Sequence, residues 1–221
     1  MQIKSLLACL LFSEAALAAS LPVRVTSWNV IYDGATLKPN QKPWSERKSR
    51  VIAQLAASSA KAPAGSVHVI GLQEIQEQSL NDIKSGLGSK WSHIGFGRDD
   101  GAKRGEYGPI LYRNDVLKVV YSEMKWLSPT PNVPSFGWGA NNRRTVTIGV
   151  FEHIATKKRF IHANTHLDHQ SSEARTEGIK IVVSRIKAVQ EIYGCLGVTL
   201  TGDLNSGMQS FPIPKSYFLG R

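Results

Sequence analysis

Asn164–Thr165–His166–Leu167–Asp168–His169 follows the apolar run Arg159–Ala163, and how this stretch is read decides the fold. In a strand, successive side chains point to opposite faces. Asn164, His166 and Asp168 then share one face, and Ala163, Thr165 and Leu167 share the other. A core does not need an amide, an imidazole and a carboxylate presented together. Three other apolar runs end the same way: Val23–Trp28 in Asn29, Val67–Leu72 in Gln73–Glu74, and Val198–Gly202 in Asp203–Leu204–Asn205. In layered α/β proteins, sites lie beyond the carboxyl ends of strands. Four strands ending in Asn, Glu, His or Asp point to one shared pocket.

The rest of the chain fills in around these ends. Val23–Asn29 reads as a strand and Ile31–Lys42 as a loop rich in Gly, Pro and Asn. Trp44–Ala60 has helical spacing at Val51, Ile52, Leu55 and Ala56, with Ser45 as its expected cap. Val67–Leu72 is a short apolar strand, and Ile75–Leu87 a helix closed by Gly86 and Gly88. Trp91–Phe96, Ile110–Arg113 and Val116–Trp126 read as strands, and Thr145–Glu152 with Arg159–Thr165 as a hairpin. Ser128–Asn142 is the longest irregular loop. Ser171 or Ser172 caps a helix running to about Tyr193, with Ile179, Val182, Val183, Ile186 and Val189 as its buried stripe. The order βαβα, several strands, then αβ suits one mixed α/β domain with helices on its outer faces.

The 221 residues are 42% hydrophobic and 20% charged, enough for one domain with a real core and marginal for two. Lys4, the apolar run Leu6–Phe12 and Ala16–Leu17–Ala18 form a charged n-region, an h-region and an A-x-A cleavage site. A secretory signal over residues 1–18 is therefore expected, with residues 19–221 as the exported domain. The run is too short to span a bilayer. The mature chain is expected to be extracellular and monomeric, without stable membrane insertion. Cleavage removes Lys4 and Glu14, so the net charge stays at +10. A basic surface draws polyanions, which leans toward nucleic acid. Cys9 leaves with the signal and Cys195 stays alone, so no internal disulfide is expected.

Asn29, Glu74, Asp203 and Asn205 are oxygen donors. Hard oxygen ligands select Mg²⁺, Mn²⁺ or Ca²⁺ over zinc. The reaction that suits such a site is attack on phosphorus, with the cation neutralising charge on the phosphoryl oxygens. His166 is then a hydrogen-bond donor to a phosphoryl oxygen, or a general acid or base near neutral pH. Arg98, Asp99, Glu106 and Tyr107 either line the pocket mouth or form a solvated turn. Arg143 and Arg144 either meet phosphate or lie on a basic surface. His68, His93, His153 and His162 sit in strand-like runs and read as packing or surface residues. Trp138 either stacks on a substrate ring or closes its loop over the core.

These motifs resemble the endonuclease/exonuclease/phosphatase superfamily. Trp28–Asn29, Leu72–Gln73–Glu74, the Asn164–His169 stretch and Gly202–Asp203–Leu204–Asn205 have its order and spacing. Arg98–Asp99–Asp100–Gly101, Gly105–Glu106–Tyr107, Ile110–Leu111–Tyr112–Arg113 and Trp126–Leu127–Ser128–Pro129–Thr130–Pro131 resemble a secreted bacterial and fungal branch. The resemblance implies a four-layered α/β/β/α sandwich, like that of pancreatic-type DNases, and Mg²⁺- or Mn²⁺-dependent hydrolysis of phosphoesters. Nucleic acid, nucleotide, phospholipid and sugar phosphate are all open as substrates. By motif, Glu74 is the main metal ligand and Asn29 its neighbour. His166 contacts the scissile phosphate, Asp203 orients or deprotonates water, and Asn205 meets phosphate or metal. Asn164, Arg98, Tyr107 and Arg144 are the expected substrate contacts, Asn164 also supporting His166, with Asp168 and His169 behind them.

One departure stands beside the match. Family members continue to a closing Ser-Asp-His, whereas no His or Asp lies between Asn205 and Arg221. The expectation is a sandwich lacking its last strands, with weakened or lost turnover. Two other classes compete. A metallo-β-lactamase-like zinc site would need His where Asn164 stands, and no His follows His169. A secreted, non-catalytic binder of nucleic acid or phospholipid headgroups would keep the site in decayed form.

Overall fold

The computed structural model describes residues 20–207; the expected signal over residues 1–18 lies outside them. In chain order the elements are β1 (Val23–Asn29), α1 (Trp44–Ala60), β2 (Val67–Gln73), α2 (Glu77–Leu87), β3 (Trp91–Ile94), β4 (Ile110–Arg113), β5 (Leu117–Trp126), β6 (Thr145–His153), β7 (Arg159–His166), α3 (Ser172–Tyr193) and β8 (Val198–Asp203). They form two four-stranded sheets, in the orders β1-β2-β4-β3 and β5-β6-β7-β8. The pairs β1/β2 and β7/β8 are parallel, and every other pairing is antiparallel.

Alternation along the central strands sets the layers. On β2, Ile70 and Leu72 pack with Val51 and Leu55 of α1 and Leu80 and Ile83 of α2. On β7, Ile161 and Ala163 pack with Val182 and Val189 of α3. Val67, Val69, Ile110, Phe151 and Phe160 meet between the sheets. The result is an α/β/β/α sandwich. Its inter-sheet layer is graded. Apolar side chains fill one end, and the end beside the strand termini holds Gln73, His162, Asn164 and Thr201, all buried.

Asn164 clips the two sheets together. Its Nδ2 donates to the Leu72 and Pro109 carbonyls at 2.8 and 3.0 Å, and its Oδ1 accepts from Gln73 Nε2 and Thr201 Oγ1 at 2.8 and 2.9 Å. The clip needs a glycine opposite it. A Cβ on Gly71 would lie 2.0 Å from Thr201 Oγ1 and 2.6 Å from Asn164 Oδ1.

Several boundaries differ from the sequence reading. α1 is capped by Pro43 rather than Ser45, with Glu46 and Arg47 N–H donating to the Pro43 carbonyl. α2 begins two residues later than expected, because Ile75 bridges Tyr107 and the Gln76 N–H donates to Ser79 Oγ. The start of α3 agrees with the reading: of the two serines expected there, Ser171 is the cap and accepts from the Ala174 N–H.

Candidate active site

The carboxyl ends of β1, β2, β7 and β8 open onto one cleft of about 490 Å³. Parallel pairing places these ends together. Asn29 lies in register with Gln73, one residue before Glu74, and His166 lies in register with Asp203. The edge strands also meet across the sandwich, where the Gly202 N–H donates to Ser27 Oγ at 3.2 Å. Glu74 and Asn205 have φ of 55° and 48°. Each thus takes the left-handed conformation that turns the chain sharply as its strand ends.

Glu74, His166 and Asp203 converge, with one ligand atom of each within 4.8 Å of the others. Asn29 Nδ2 bridges the two carboxylates, donating to Glu74 Oε1 at 2.7 Å and to Asp203 Oδ2 at 2.9 Å. Its Oδ1 is taken by the Ile31 N–H at 3.0 Å. Asn29 therefore bridges the acidic pair here, where the sequence reading had its oxygen as a metal ligand. Two carboxylates this close repel each other and need a donor between them.

Asn205 Nδ2 meets His166 Nε2 at 2.9 Å and donates to the Leu167 carbonyl at the same distance. With that amide donating, His166 Nε2 accepts and the ring proton sits on Nδ1, which is buried without a partner. Burial, followed by the Arg144 charge, pushes the His166 pKa down to about 3, so the ring is neutral. Burial pushes the Asp203 carboxyl up. The Asn29 and Asn205 hydrogen bonds and the Arg144 charge outweigh it and hold the group below the usual range.

Arg144 is 5% exposed and lines the cleft. Its Nη2 meets His169 Nδ1 at 3.0 Å and its Nε lies 3.5 Å from Asp168 Oδ2. Asp168 is buried and accepts the Gln170 and Ser171 N–H groups. It orders the start of α3 and faces Arg144, while His169 reaches the cleft. Arg98 also lines the cleft, held to Glu106.

Two expected substrate contacts lie elsewhere. Asn164 is fully buried as the inter-sheet clip, so a ligand in the cleft cannot touch it. Tyr107 is 4% exposed, and its hydroxyl donates to Glu77 and to the Ala102 carbonyl. It fastens the segment beneath the pocket mouth. The sequence reading missed Tyr32, Gln76 and Asn142, which also line the cleft. It also missed Arg47, which donates to the Val30 and Ile31 carbonyls and so holds the turn after Asn29. Arg47 stacks over Trp44, three residues earlier on the same helix, and that spacing was the one available signal.

The site is thus a cleft where acidic residues and a histidine meet at the strand ends of a two-sheet sandwich. Three solved structures share this architecture. An endonuclease/exonuclease/phosphatase family protein of Bacteroides thetaiotaomicron superposes with a TM-score of 0.76 at 31% identity, over 84% of this chain and 65% of its own. A B. thetaiotaomicron protein described as a mannosyl-6-phosphatase gives 0.75 at 33%, over 87% of this chain and 67% of its own. A Bacteroides vulgatus endonuclease/exonuclease/phosphatase gives 0.71 at 34%, over 83% and 66%. Neither a protein-family model nor a curated protein sequence matches the chain. The chain belongs to the endonuclease/exonuclease/phosphatase family, and spans about two thirds of the length of these relatives.

Proposed function

We propose that the chain hydrolyses phosphoesters with a divalent cation, Mg²⁺ or Mn²⁺, held by Glu74 and Asp203. The observation that carries this reading is the convergence of Glu74, His166 and Asp203 from both sheets at one cleft. The donor set fits a hard cation, being two carboxylates joined only through a neutral amide, with no cysteine. Arg144 compensates them only in part, because its guanidinium is also engaged by Asp168 and His169. When bound, the cation neutralises charge on the phosphoryl oxygens.

The chain's own groups supply the rest. His166, neutral and steadied by Asn205, turns Nε2 toward the carboxylate pair, 3.8 Å from Asp203 Oδ2, and lends the site an uncharged imidazole. Asp203 stays ionised and orients the attacking water. Arg144 adds a fixed positive charge beside the phosphate. The similarity to a protein described as a mannosyl-6-phosphatase favours sugar phosphate among the candidate substrates. Export by a leader ending at Ala18 or Ala19 belongs to the same proposal, and sequencing the amino terminus of the exported protein checks it.

The test is a panel of phosphomonoesters and phosphodiesters assayed with Mg²⁺, with Mn²⁺ and with EDTA. Metal-dependent turnover of one class is expected. Phosphoester binding that survives both EDTA and Glu74→Gln, with no turnover of any ester, would overturn the hydrolase reading in favour of a non-catalytic binder.

A further inference from the structure

The cleft and the surface differ in charge. The chain carries +10 overall, yet the cleft is lined by Glu74, Asp99 and Glu106 against only Arg98 and Arg144 as full cations. Neither arginine is free. Arg98 forms a two-pronged pair with Glu106, Nη1 to Oε2 at 3.0 Å and Nη2 to Oε1 at 2.8 Å, with side chains 13% and 14% exposed. Burial pushes the Glu106 carboxyl up, the Arg98 charge opposes this, and the Glu74 charge adds to it. Asp99 lies 3.5 Å from Arg143.

The fork is held from behind. The Arg98 N–H donates to the Glu106 carbonyl at 3.0 Å, and the Asp99 N–H to the Arg104 carbonyl at 3.1 Å. Trp126 Nε1 donates to the Arg98 carbonyl at 2.7 Å. Gly105, with φ +81°, lets the return strand approach, since a Cβ there would lie 2.5 Å from Asp99 Oδ2. A pair fixed this way exposes a predictable set of groups. A carboxylate accepts about four hydrogen bonds and a guanidinium donates five. The fork uses two of each, leaving acceptors and donors side by side at the cleft. Hydroxyl groups, which both give and take, match such a row. A second phosphate group would instead meet carboxylates at short range, a repulsion that part-buried sites use to reject wrong partners.

We propose, on the basis of the phosphoester-hydrolase reading, that Glu106 held by Arg98 is the specificity-determining residue of this cleft. It accepts hydrogen bonds from the hydroxyls of a polyol- or sugar-type monophosphate and turns away ligands carrying a second phosphate, nucleic acid included. The net charge of the chain then says little about its substrate, because the charge lies outside the cleft.

Titration calorimetry of the full chain in Mg²⁺ tests this with four probes. These are a hexose 6-phosphate, cyclohexylmethyl phosphate as its hydroxyl-free shape, a hexose 1,6-bisphosphate and a short oligonucleotide. The hexose 6-phosphate is expected to bind about ten-fold tighter than each of the others, the worth of one well-made charged hydrogen bond. Glu106→Gln is expected to shrink the preference over the bisphosphate at least several-fold. Tighter binding of the bisphosphate or the oligonucleotide by the wild-type chain overturns the proposal. So does the absence of any hexose preference, and neither result needs the variant to fold. Hexose preference without turnover supports the assignment while striking the hydrolase reading. Turnover of all esters without preference does the reverse.

Discussion

The chain uses one supersecondary unit twice. β1–α1–β2 and β7–α3–β8 each run strand, helix, parallel strand, and each delivers its site residues where the two strands end side by side. In both, one strand is central and the other is the sheet edge. β2 is buried at every position, whereas β1 and β8 are largely half-buried. The units differ in what fixes their ends. His166 and Asp203 face each other in register, so the ladder sets their separation. Glu74 lies one residue beyond the register Asn29↔Gln73, in a left-handed turn at φ 55°. For a non-glycine residue that conformation costs roughly 1–2 kcal/mol. The second unit thus presents a pair held by the sheet, and the first a single carboxylate held by a turn, with Asn29 joining the two.

Glu74→Gln and Asp203→Asn put this comparison under its largest strain. If one cation draws on both units, each substitution removes several kcal/mol of charge stabilisation. Each should then lower metal-dependent turnover about a thousand-fold. Mg²⁺ dependence of the rate checks this. A full loss from Asp203→Asn with little from Glu74→Gln would mean that the ladder-held unit works alone.

Asn164→Ala comes next. It removes the group through which β7 of the second unit holds the Leu72 carbonyl and Gln73 of the first. The buried polar groups left unpaired cost about 3 kcal/mol. Urea denaturation should show that loss. Two separate unfolding transitions in the variant would show that the clip joins halves otherwise independent.

Acid separates the units less sharply. Burial pushes His162, in the second unit, down to about 3. Burial, with Arg24, pushes His68 in the first down to about 4. The unfolded chain titrates these groups near 6.5. Between about pH 6.5 and 3–4 the unfolded state therefore binds protons that the folded state refuses, so stability falls as pH drops through that window. Each histidine should account for about 2 kcal/mol lost between pH 7 and 4.5. Denaturation midpoints of His162→Gln and His68→Gln across that range would show it as a flatter pH dependence. The His68 share should end near pH 4 and the His162 share near pH 3.

Much of this was legible before any coordinates. Asn29, Glu74, His166 and Asp203 close apolar runs, and strand ends in layered α/β folds converge. The four-layered arrangement came from the motif resemblance rather than from periodicity. Alternation correctly placed Asn164 and His166 on one face of β7. It could not say that the face turns from cleft to inter-sheet interior within two residues, so Asn164 read as a substrate contact. Tyr107 failed for a similar reason, since its buried hydroxyl is satisfied by Glu77, 30 residues earlier. The Arg98–Glu106 fork joins opposite sides of a hairpin whose register the sequence does not display.

The smallest test concerns where each unit's helix begins. Ser171 accepts the Ala174 N–H at 3.1 Å and donates to the Trp138 carbonyl at 2.6 Å, tying α3 to the long loop. Ser45 instead lies exposed inside the first turn of α1, whose cap is Pro43. Ser171→Ala should therefore cost about 1 kcal/mol, the usual price of a lost side-chain cap. Ser45→Ala should change stability by less than about 0.5 kcal/mol, in the stabilising direction, because alanine is the better helix former. Thermal or urea denaturation of the two variants side by side separates these outcomes. Equal losses would mean that Ser45 caps α1 after all, and the two units would then start their helices alike.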